Sequence, residues 1–199
     1  MVTDIFPSHP LPQLCDIQSG FTVRGRLETT ETGTTRVIQL RDTGAGELSF
    51  NRLSFADLGP VDERYDAREG DILFRTRFEP NVAVCLTQFP GTAVVTSPLL
   101  ILRTRSLEAD PRYIAWWINQ PPAQTEIDRS ARGTNMRMIP RQALDDLIVP
   151  LPDLETQRRI VEVDALSTEE ERLLHALAEK RRTLTRFALL KQVRKAQPH

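Results

Sequence analysis

The segment from Asp153 to the end of the chain constrains the fold most, because its pattern is that of one long helix that needs a partner. Asp153 is a typical N-cap residue, and Glu155 would lie in the first turn, where the helix dipole favours acidic groups. The apolar residues recur about every 3.5 residues, which is the period of a coiled-coil seam. The residues that we expect to face a partner helix are Ile160, Val163, Leu173, Leu177, Leu184 and Phe187. The alternative is a helix that folds back on the preceding domain.

The charges of this helix are divided between its two ends. Residues 153–171 include seven acidic and two basic residues, whereas residues 180–199 include seven basic residues and no acidic one. In an antiparallel pair the acidic part of each helix would face the basic part of the other, and in a parallel pair like charges would meet. We therefore predict an antiparallel coiled coil, with Glu170 near Lys180 or Arg181 of the mate and a two-fold axis near His175.

The residues before this helix predict a mostly β domain. A chain of 199 residues suits one domain of about 150 residues with an appendage. β-Branched and apolar runs predict strands within 34–42, 71–76, 81–88 and 91–104, and a final short strand within 146–152. Asp110-Pro111 predicts the start of one short helix, and a second should follow from Pro122. The predicted class is α+β, with a domain at 1–151 and the long helix at 152–199.

The sequence contains no pattern that indicates catalysis, a cofactor or a metal. Cys15 and Cys85 lack the spacing of zinc ligands, and no glycine-rich phosphate loop is present. Asn119-Gln120-Pro121-Pro122 departs from the Asn-Pro-Pro-aromatic site of amino-group DNA methylases and predicts only the end of a helix. No apolar run approaches the ~20 residues that cross a bilayer, and the first residues do not form a signal peptide. We expect a non-catalytic cytoplasmic protein without a bound cofactor or metal and without a membrane partner.

The basic residues before the long helix are all arginines. Residues 1–150 contain no lysine, and the first lysine is Lys180. The planar guanidinium can bind a guanine edge or a phosphate through two hydrogen bonds, which favours a nucleic-acid partner. A GC-rich genome would produce the same bias, so composition alone leaves both explanations open.

Several segments, in order along the chain, resemble the specificity subunits of type I restriction-modification systems. The last of them is the most specific, because it joins a strand ending in Pro-Leu-Pro to the start of the long helix. The segments are GDILFRTR (70–77), TSPLLILR (96–103), PRYIAWWIN (111–119), ARGTNMRMI (131–139) and LDDLIVPLPDLETQRRIV (144–161). The turn at Ile17-Gln18-Ser19-Gly20, followed by Phe21 and Arg24-Gly25, also resembles this family, so that the resemblance covers nearly the whole chain.

The resemblance implies a function in DNA recognition. In this family, target-recognition domains read double-stranded DNA, and conserved helices hold those domains apart and dock the methyltransferase (modification) subunits, which bind S-adenosylmethionine. A full subunit has two recognition domains and two conserved helices, whereas this sequence has one of each. We therefore expect a half-subunit that reads one half of a bipartite site, as a homodimer or with another half, and with or without a restriction subunit. The alternative is a coiled-coil interaction protein without a DNA role, such as a decoy that sequesters methyltransferase subunits.

Candidate DNA-contacting residues are polar side chains on loops that could reach a groove. The first candidates lie in one segment whose alternative interpretation is a glycine-capped helix end with solvated arginines: Arg132, Gly133, Thr134, Asn135 and Arg137. Arg75 and Arg77 should emerge at the end of the strand that starts at Asp71, with Asn81 just beyond; the alternative is that one of the two arginines pairs with Glu79. Weaker candidates, which we expect to contact phosphates, are Arg24, Arg26, Arg41 and Arg52. Trp116 and Trp117 could stack on bases, but adjacent aromatic residues in a helix favour the core.

Overall fold

The computed structural model describes residues 6–30, 33–44, 48–77, 81–131 and 138–195. It divides into two compact units, Met1–Arg158 and Arg159–His199. The first unit is rich in strands and also contains short helices, and a long helix follows it. The α+β class predicted from the sequence is therefore confirmed.

The larger sheet has four antiparallel strands. In chain order they are β2 (Cys15–Ser19), β5 (Ile72–Arg75), β6 (Ala83–Cys85) and β8 (Leu99–Thr104), and they lie side by side in the order β2-β8-β5-β6. All four residues of β5 and the first four of β8 are buried, so both faces of these inner strands are covered. This explains why the two strands are continuous apolar runs rather than alternating ones.

The smaller sheet packs its core residues with those of the larger one. Its strands are β3 (Thr35–Ile38), β4 (Ser54–Ala56) and β7 (Val94–Val95), in the order β4-β3-β7. The shared core cluster consists of Ile38, Leu53, Ala67, Leu73, Leu86, Phe89, Ala93, Val95, Leu99 and Ile101. The strand predicted over 34–42 is too long, since Leu40–Thr43 forms a 3-10 helix. The Asp42 carboxylate accepts a 2.8 Å hydrogen bond from the backbone N–H of Gln39, which stabilises this turn instead of an extended strand.

Short helices and a two-stranded sheet complete the first unit. They are β1 (Ser8–Pro10), α1 (Leu11–Leu14), α2 (Pro111–Ile118), α3 (Pro121–Arg129), α4 (Gln142–Asp145) and β9 (Ile148–Pro150), with β1 antiparallel to β9. The predicted N-cap at Asp110 is confirmed, because its carboxylate accepts a 2.9 Å hydrogen bond from the N–H of Arg112. The second short helix begins at Pro121, one residue before the predicted start.

The long helix α5 spans Leu154–Lys195 and has 42 residues, so it extends for about 63 Å. Asp153 caps it, accepting hydrogen bonds from the N–H of Thr156 (2.9 Å) and from its hydroxyl (2.8 Å). Every residue from 162 to 192 is exposed. No helix within the described residues is both long enough and apolar enough to cross a membrane.

Candidate DNA-binding surface

A pocket of about 600 Å³ lies in the β-rich unit, where three segments of the chain meet. One segment follows β2, one follows β3, and one lies between β7 and β8. The lining residues are Thr22, Val23, Gly25, Leu27, Gln39, Leu40, Arg41, Arg75, Thr96, Ser97 and Pro98. We call this cavity the Arg75 pocket.

The first wall is anchored at Gly20 and Phe21. A Cβ atom at position 20 would lie 2.7 Å from the carbonyl carbon of Thr96, so only glycine allows the two backbones to approach this closely. The N–H of Phe21 donates to Val95 O (2.8 Å), and its carbonyl accepts from the N–H of Ser97 (2.9 Å). The segment 22–27 therefore leaves the sheet from a well-defined point.

Two candidate arginines lie on that first wall. Arg24 and Arg26 are both exposed and flank Gly25, which lines the pocket. Gly25 has a φ of +92°, a conformation that other residues rarely adopt. The turn at Gly25 thus brings this segment, with an exposed arginine on either side of the glycine, into the wall of the Arg75 pocket.

Thr96, in the segment between β7 and β8, holds that segment against the end of β3, where the second wall of the pocket (residues 39–41) begins. Its N–H and its hydroxyl both donate to the carbonyl of Ile38, at 2.9 and 2.8 Å. Arg41 lies just beyond, with 58% of its side chain exposed, and donates a 2.8 Å hydrogen bond to the hydroxyl of Ser54. The Nε atom of Arg41 lies 3.9 Å from the Asp42 carboxylate, a weak contact at the surface.

Arg75 lies in the wall of the pocket rather than at the protein surface. Arg75 is the last residue of β5, at the strand end as expected, but its side chain is buried rather than presented at the surface, with only 9% of the residue exposed. Its Nε atom has no hydrogen-bond partner, and no ion pair involves Arg75 within the part of the chain that the structure describes. The hydroxyl of the next residue, Thr76, donates a 2.6 Å hydrogen bond to the carbonyl of Pro98. This bond connects the end of β5 to the pocket-lining segment between β7 and β8.

The other candidates lie in different environments. Arg77 is exposed and pairs with Met138 in an isolated antiparallel bridge. Asn81 is only 6% exposed, so its side chain is not presented at the surface. Arg52 is exposed and does not line the Arg75 pocket. The segment Arg132, Gly133, Thr134, Asn135 and Arg137 lies outside the described residues.

Two arginines that are distant in sequence, Arg41 and Arg75, therefore line one pocket, and the exposed Arg24 and Arg26 flank Gly25 in the segment that forms its first wall. Sequence reasoning named each of them but did not group them, because the grouping depends on how the two sheets pack. An arrangement of guanidinium groups around a cavity can hold phosphates or the acceptor edges of bases. Within the described ranges, no three histidine, cysteine or acidic side chains are placed to hold a metal ion.

Several polar residues of the quoted motifs stabilise the fold instead. The carboxylate of Asp71 is nearly fully buried and accepts two hydrogen bonds from Arg103, at 3.0 and 3.2 Å. The side-chain amide of Asn119 exchanges two 2.8 Å hydrogen bonds with the backbone of Ala83 on the edge strand β6. Trp116 and Trp117 are half-buried, and the indole N–H of Trp117 donates to Ile148 O at 3.0 Å.

Solved structures share this arrangement of elements, although no protein-family model and no curated protein matches the sequence. The HsdS subunit of Thermoanaerobacter tengcongensis aligns with a TM-score of 0.69 and 17% identity, over 98% of this chain and 50% of that one. A chain from a structure of complex assembly and conformational transition in the type I R-M system aligns with a TM-score of 0.67 and 22% identity, over 92% and 43%. The chain has the fold of a type I specificity subunit. The S subunit of the type I system of M. genitalium also aligns, with a TM-score of 0.58 and 15% identity, over 92% and 45%.

The specificity-subunit fold confirms the resemblance that the ordered motifs indicated. The chain spans about half the length of these subunits, between 43% and 50%. The Arg75 pocket lies in the β-rich unit of this fold. The helix α5 carries exposed apolar residues, among them Val163, Leu173 and Leu184.

Proposed function

We propose that this chain is the DNA-specificity subunit of a type I-like restriction-modification system. Its β-rich unit reads one part of a DNA target, and α5 pairs with a second helix and docks methyltransferase subunits. The observation that carries the proposal is that Arg41 and Arg75 line one pocket of a specificity-subunit fold, with the exposed Arg24 and Arg26 on either side of the pocket-lining Gly25. The chain itself contributes recognition, and the methyl transfer is carried out by the partner subunits.

The charge of the chain bears on how it would bind DNA. The formal net charge is −1, so the chain as a whole releases few counterions from DNA. The arginines around the Arg75 pocket supply a local positive surface, and basic residues of a methyltransferase subunit would supply the remaining phosphate contacts. We therefore expect the assembled complex to bind DNA much more tightly than the isolated chain.

The exposed stripe of α5 supports pairing with a second helix. From Val163 to Phe187 the seam positions alternate at spacings of three and four residues, as in a coiled coil. Val163 and Phe187 are 62% and 67% exposed, so an apolar stripe, interrupted by Glu170 and Lys180, is in contact with water. The seam is formed by Val163, Leu166, Glu170, Leu173, Leu177, Lys180, Leu184 and Phe187.

The seam is symmetric about His175, which favours a second copy of this chain as the mate. Each seam residue has a counterpart at the same distance on the other side of position 175. The resulting pairs are Val163 with Phe187, Leu166 with Leu184, Glu170 with Lys180, and Leu173 with Leu177. An antiparallel homodimer with its axis at this level therefore matches apolar residues with apolar ones and a carboxylate with an ammonium group. A parallel homodimer would place each Glu170 against its own copy, which is unfavourable.

Sequence-specific methylation tests the proposed function. The chain is co-expressed with a type I modification subunit, and methylated adenines are mapped in the host DNA. Methylation at a defined sequence motif is expected, and the Arg24→Gln/Arg26→Gln double variant should reduce it without disrupting the complex. A stable complex that methylates no defined sequence would contradict the proposal and favour the decoy that sequesters methyltransferase subunits.

A further inference from the structure

We propose that the Arg75 pocket binds a phosphate group, with the buried guanidinium of Arg75 as its main counter-charge. This inference deepens the proposed function, since the source of the phosphate that we favour is the DNA backbone. Its first test, however, uses inorganic phosphate and does not depend on DNA binding.

The charge of Arg75 requires compensation. A guanidinium group remains protonated in proteins, and a buried charge is unfavourable unless it is paired or fully hydrogen-bonded. Arg75 is 9% exposed, and among the described residues it forms no ion pair and its Nε atom has no hydrogen-bond partner. By contrast, the partly buried Arg103 is matched by the two oxygens of Asp71. Within the described ranges nothing balances the charge of Arg75, and this favours an anion that approaches through the pocket.

The rest of the lining indicates that this anion is a hydrogen-bond acceptor. The Nε2 atom of Gln39 is also buried without a partner, so both unpartnered buried side-chain atoms of the described residues are donors. Among the described residues no acidic side chain lines the pocket, and the lining residue Arg41 adds a second positive charge. The carboxylate of Asp42, which is next to Arg41 in the chain, already accepts a 2.8 Å hydrogen bond from the backbone N–H of Gln39.

A phosphate fits these features better than a base does. Its oxygens accept hydrogen bonds in every direction and match the guanidinium fork, whereas the edges of bases combine donors with acceptors. The hydroxyl-bearing residues Thr22 and Ser97 also line the pocket. The volume of about 600 Å³ lies within the range of small-molecule sites, which leaves room for a phosphate together with its sugar. The exposed Arg24 and Arg26, which flank the pocket-lining Gly25 in the chain, favour a polyanion over an isolated ion.

Thermal unfolding of the full chain in sodium phosphate, compared with sodium chloride of the same ionic strength, tests the site. Binding to the folded state should raise the Tm in a saturable way. We expect Arg75→Met to abolish the phosphate-specific rise, and to unfold in chloride at the same or a higher temperature because an unpaired buried charge is removed. Arg141→Gln removes an exposed arginine away from the pocket and should keep the full rise. An equal Tm in both salts for the natural chain, or a full rise in Arg75→Met, would overturn the proposal.

If Arg75→Met does not fold, two further measurements test whether the Arg75 pocket binds phosphate. Arg41→Gln changes an exposed side chain and should reduce the phosphate-specific rise. Crystals of the natural chain soaked in selenate should show an anomalous peak in the Arg75 pocket. Selenate bound only elsewhere would contradict the assignment.

Measurements of DNA binding at several salt concentrations identify the source of the phosphate. Loss of one phosphate contact should lower the slope of log Kobs against log salt concentration by about 0.9 for duplex DNA. We expect this change for Arg75→Met and none for Arg141→Gln, both measured in the complex with methyltransferase subunits. If Arg75→Met abolishes the phosphate-specific rise in Tm but leaves the slope of log Kobs against log salt concentration unchanged, the DNA backbone is excluded as the source of the phosphate. A natural complex that binds no DNA but whose chain responds to phosphate would contradict the proposed function and leave the anion site in place.

Discussion

The side-chain oxygen of Gln157 accepts a 2.8 Å hydrogen bond from the backbone N–H of Asp110, the N-cap residue of α2. The Nε2 atom of the same amide donates to the carbonyls of Glu108 (2.8 Å) and Pro152 (2.7 Å). Gln157 is completely buried, so this single side chain ties the first turn of α5 to the loop before α2. This glutamine belongs to the Leu-Glu-Thr-Gln segment that resembles the specificity subunits.

Replacing Gln157 with leucine should destabilise the β-rich unit by about 2–5 kcal/mol, because three backbone groups, two of them in buried hydrogen bonds and one in a part-buried one, would lose their partners. Urea unfolding followed by tryptophan fluorescence measures the change, since both tryptophans lie in α2. Gln192→Leu makes the same substitution at an exposed position of α5 and should leave the transition unchanged. Equal stability of the two variants would show that the buried amide does not hold the two segments together.

Cysteines at positions 170 and 180 should trap the antiparallel pair. In that pairing each Glu170 faces Lys180 of the mate, so a chain with Glu170→Cys and Lys180→Cys should form covalent dimers under mild oxidation. Non-reducing electrophoresis and peptide mapping would identify 170–180 links. The single variant Glu170→Cys is the control and should cross-link poorly. Efficient 170–170 links in that control would instead indicate a parallel coiled coil.

The native thiols should not interfere with this experiment. Burial is the main cause that raises the pKa of Cys15 to about 11 and that of Cys85 to about 12. Since the thiolate is the reactive form, both should react with a disulfide reagent at pH 8 about a hundredfold or more slowly than in the urea-unfolded chain. Comparable rates in the folded and unfolded chains would contradict this prediction.

The same shifts predict how stability depends on pH. A thiol whose pKa is higher in the folded state favours folding fully below its unfolded value near 9, and this contribution is lost as the pH rises towards the folded value. We therefore expect the free energy of unfolding to fall between pH 9 and 11, and to fall less in a Cys85→Ala variant. Urea titrations at pH 8, 9 and 10 measure the difference. An identical decline in the variant would exclude Cys85 as a contributor.

The DNA-contact proposal can be divided between two regions. Arg24→Gln/Arg26→Gln should weaken DNA binding by the assembled complex and lower its salt slope by up to about 1.8, if each arginine contacts one phosphate. The sequence-predicted segment is tested by Arg132→Ala/Arg137→Ala, which we also expect to weaken binding. Fluorescence anisotropy at low and moderate salt measures both, with Arg141→Gln as the common control. Unchanged affinity at both salt concentrations would exclude the region concerned.

The sequence by itself determined the features that depend on near neighbours along the chain. The cap at Asp153, the Pro start of α2 and the apolar runs of β5 and β8 all have local signatures, so their positions could be predicted to within a few residues. The 3.5-residue stripe of α5 likewise defines an exposed seam without reference to the rest of the molecule.

Only the tertiary structure decided what happens to individual polar side chains. Arg75 follows three apolar residues and could have ended an edge strand, but the pairing of β5 between β8 and β6 buries it. Gln157 could have been one of many solvated residues at the start of a helix, but the loop at 108–110 encloses it. Burial and grouping depend on contacts between residues that are far apart in sequence, and no local pattern encodes which of those contacts form.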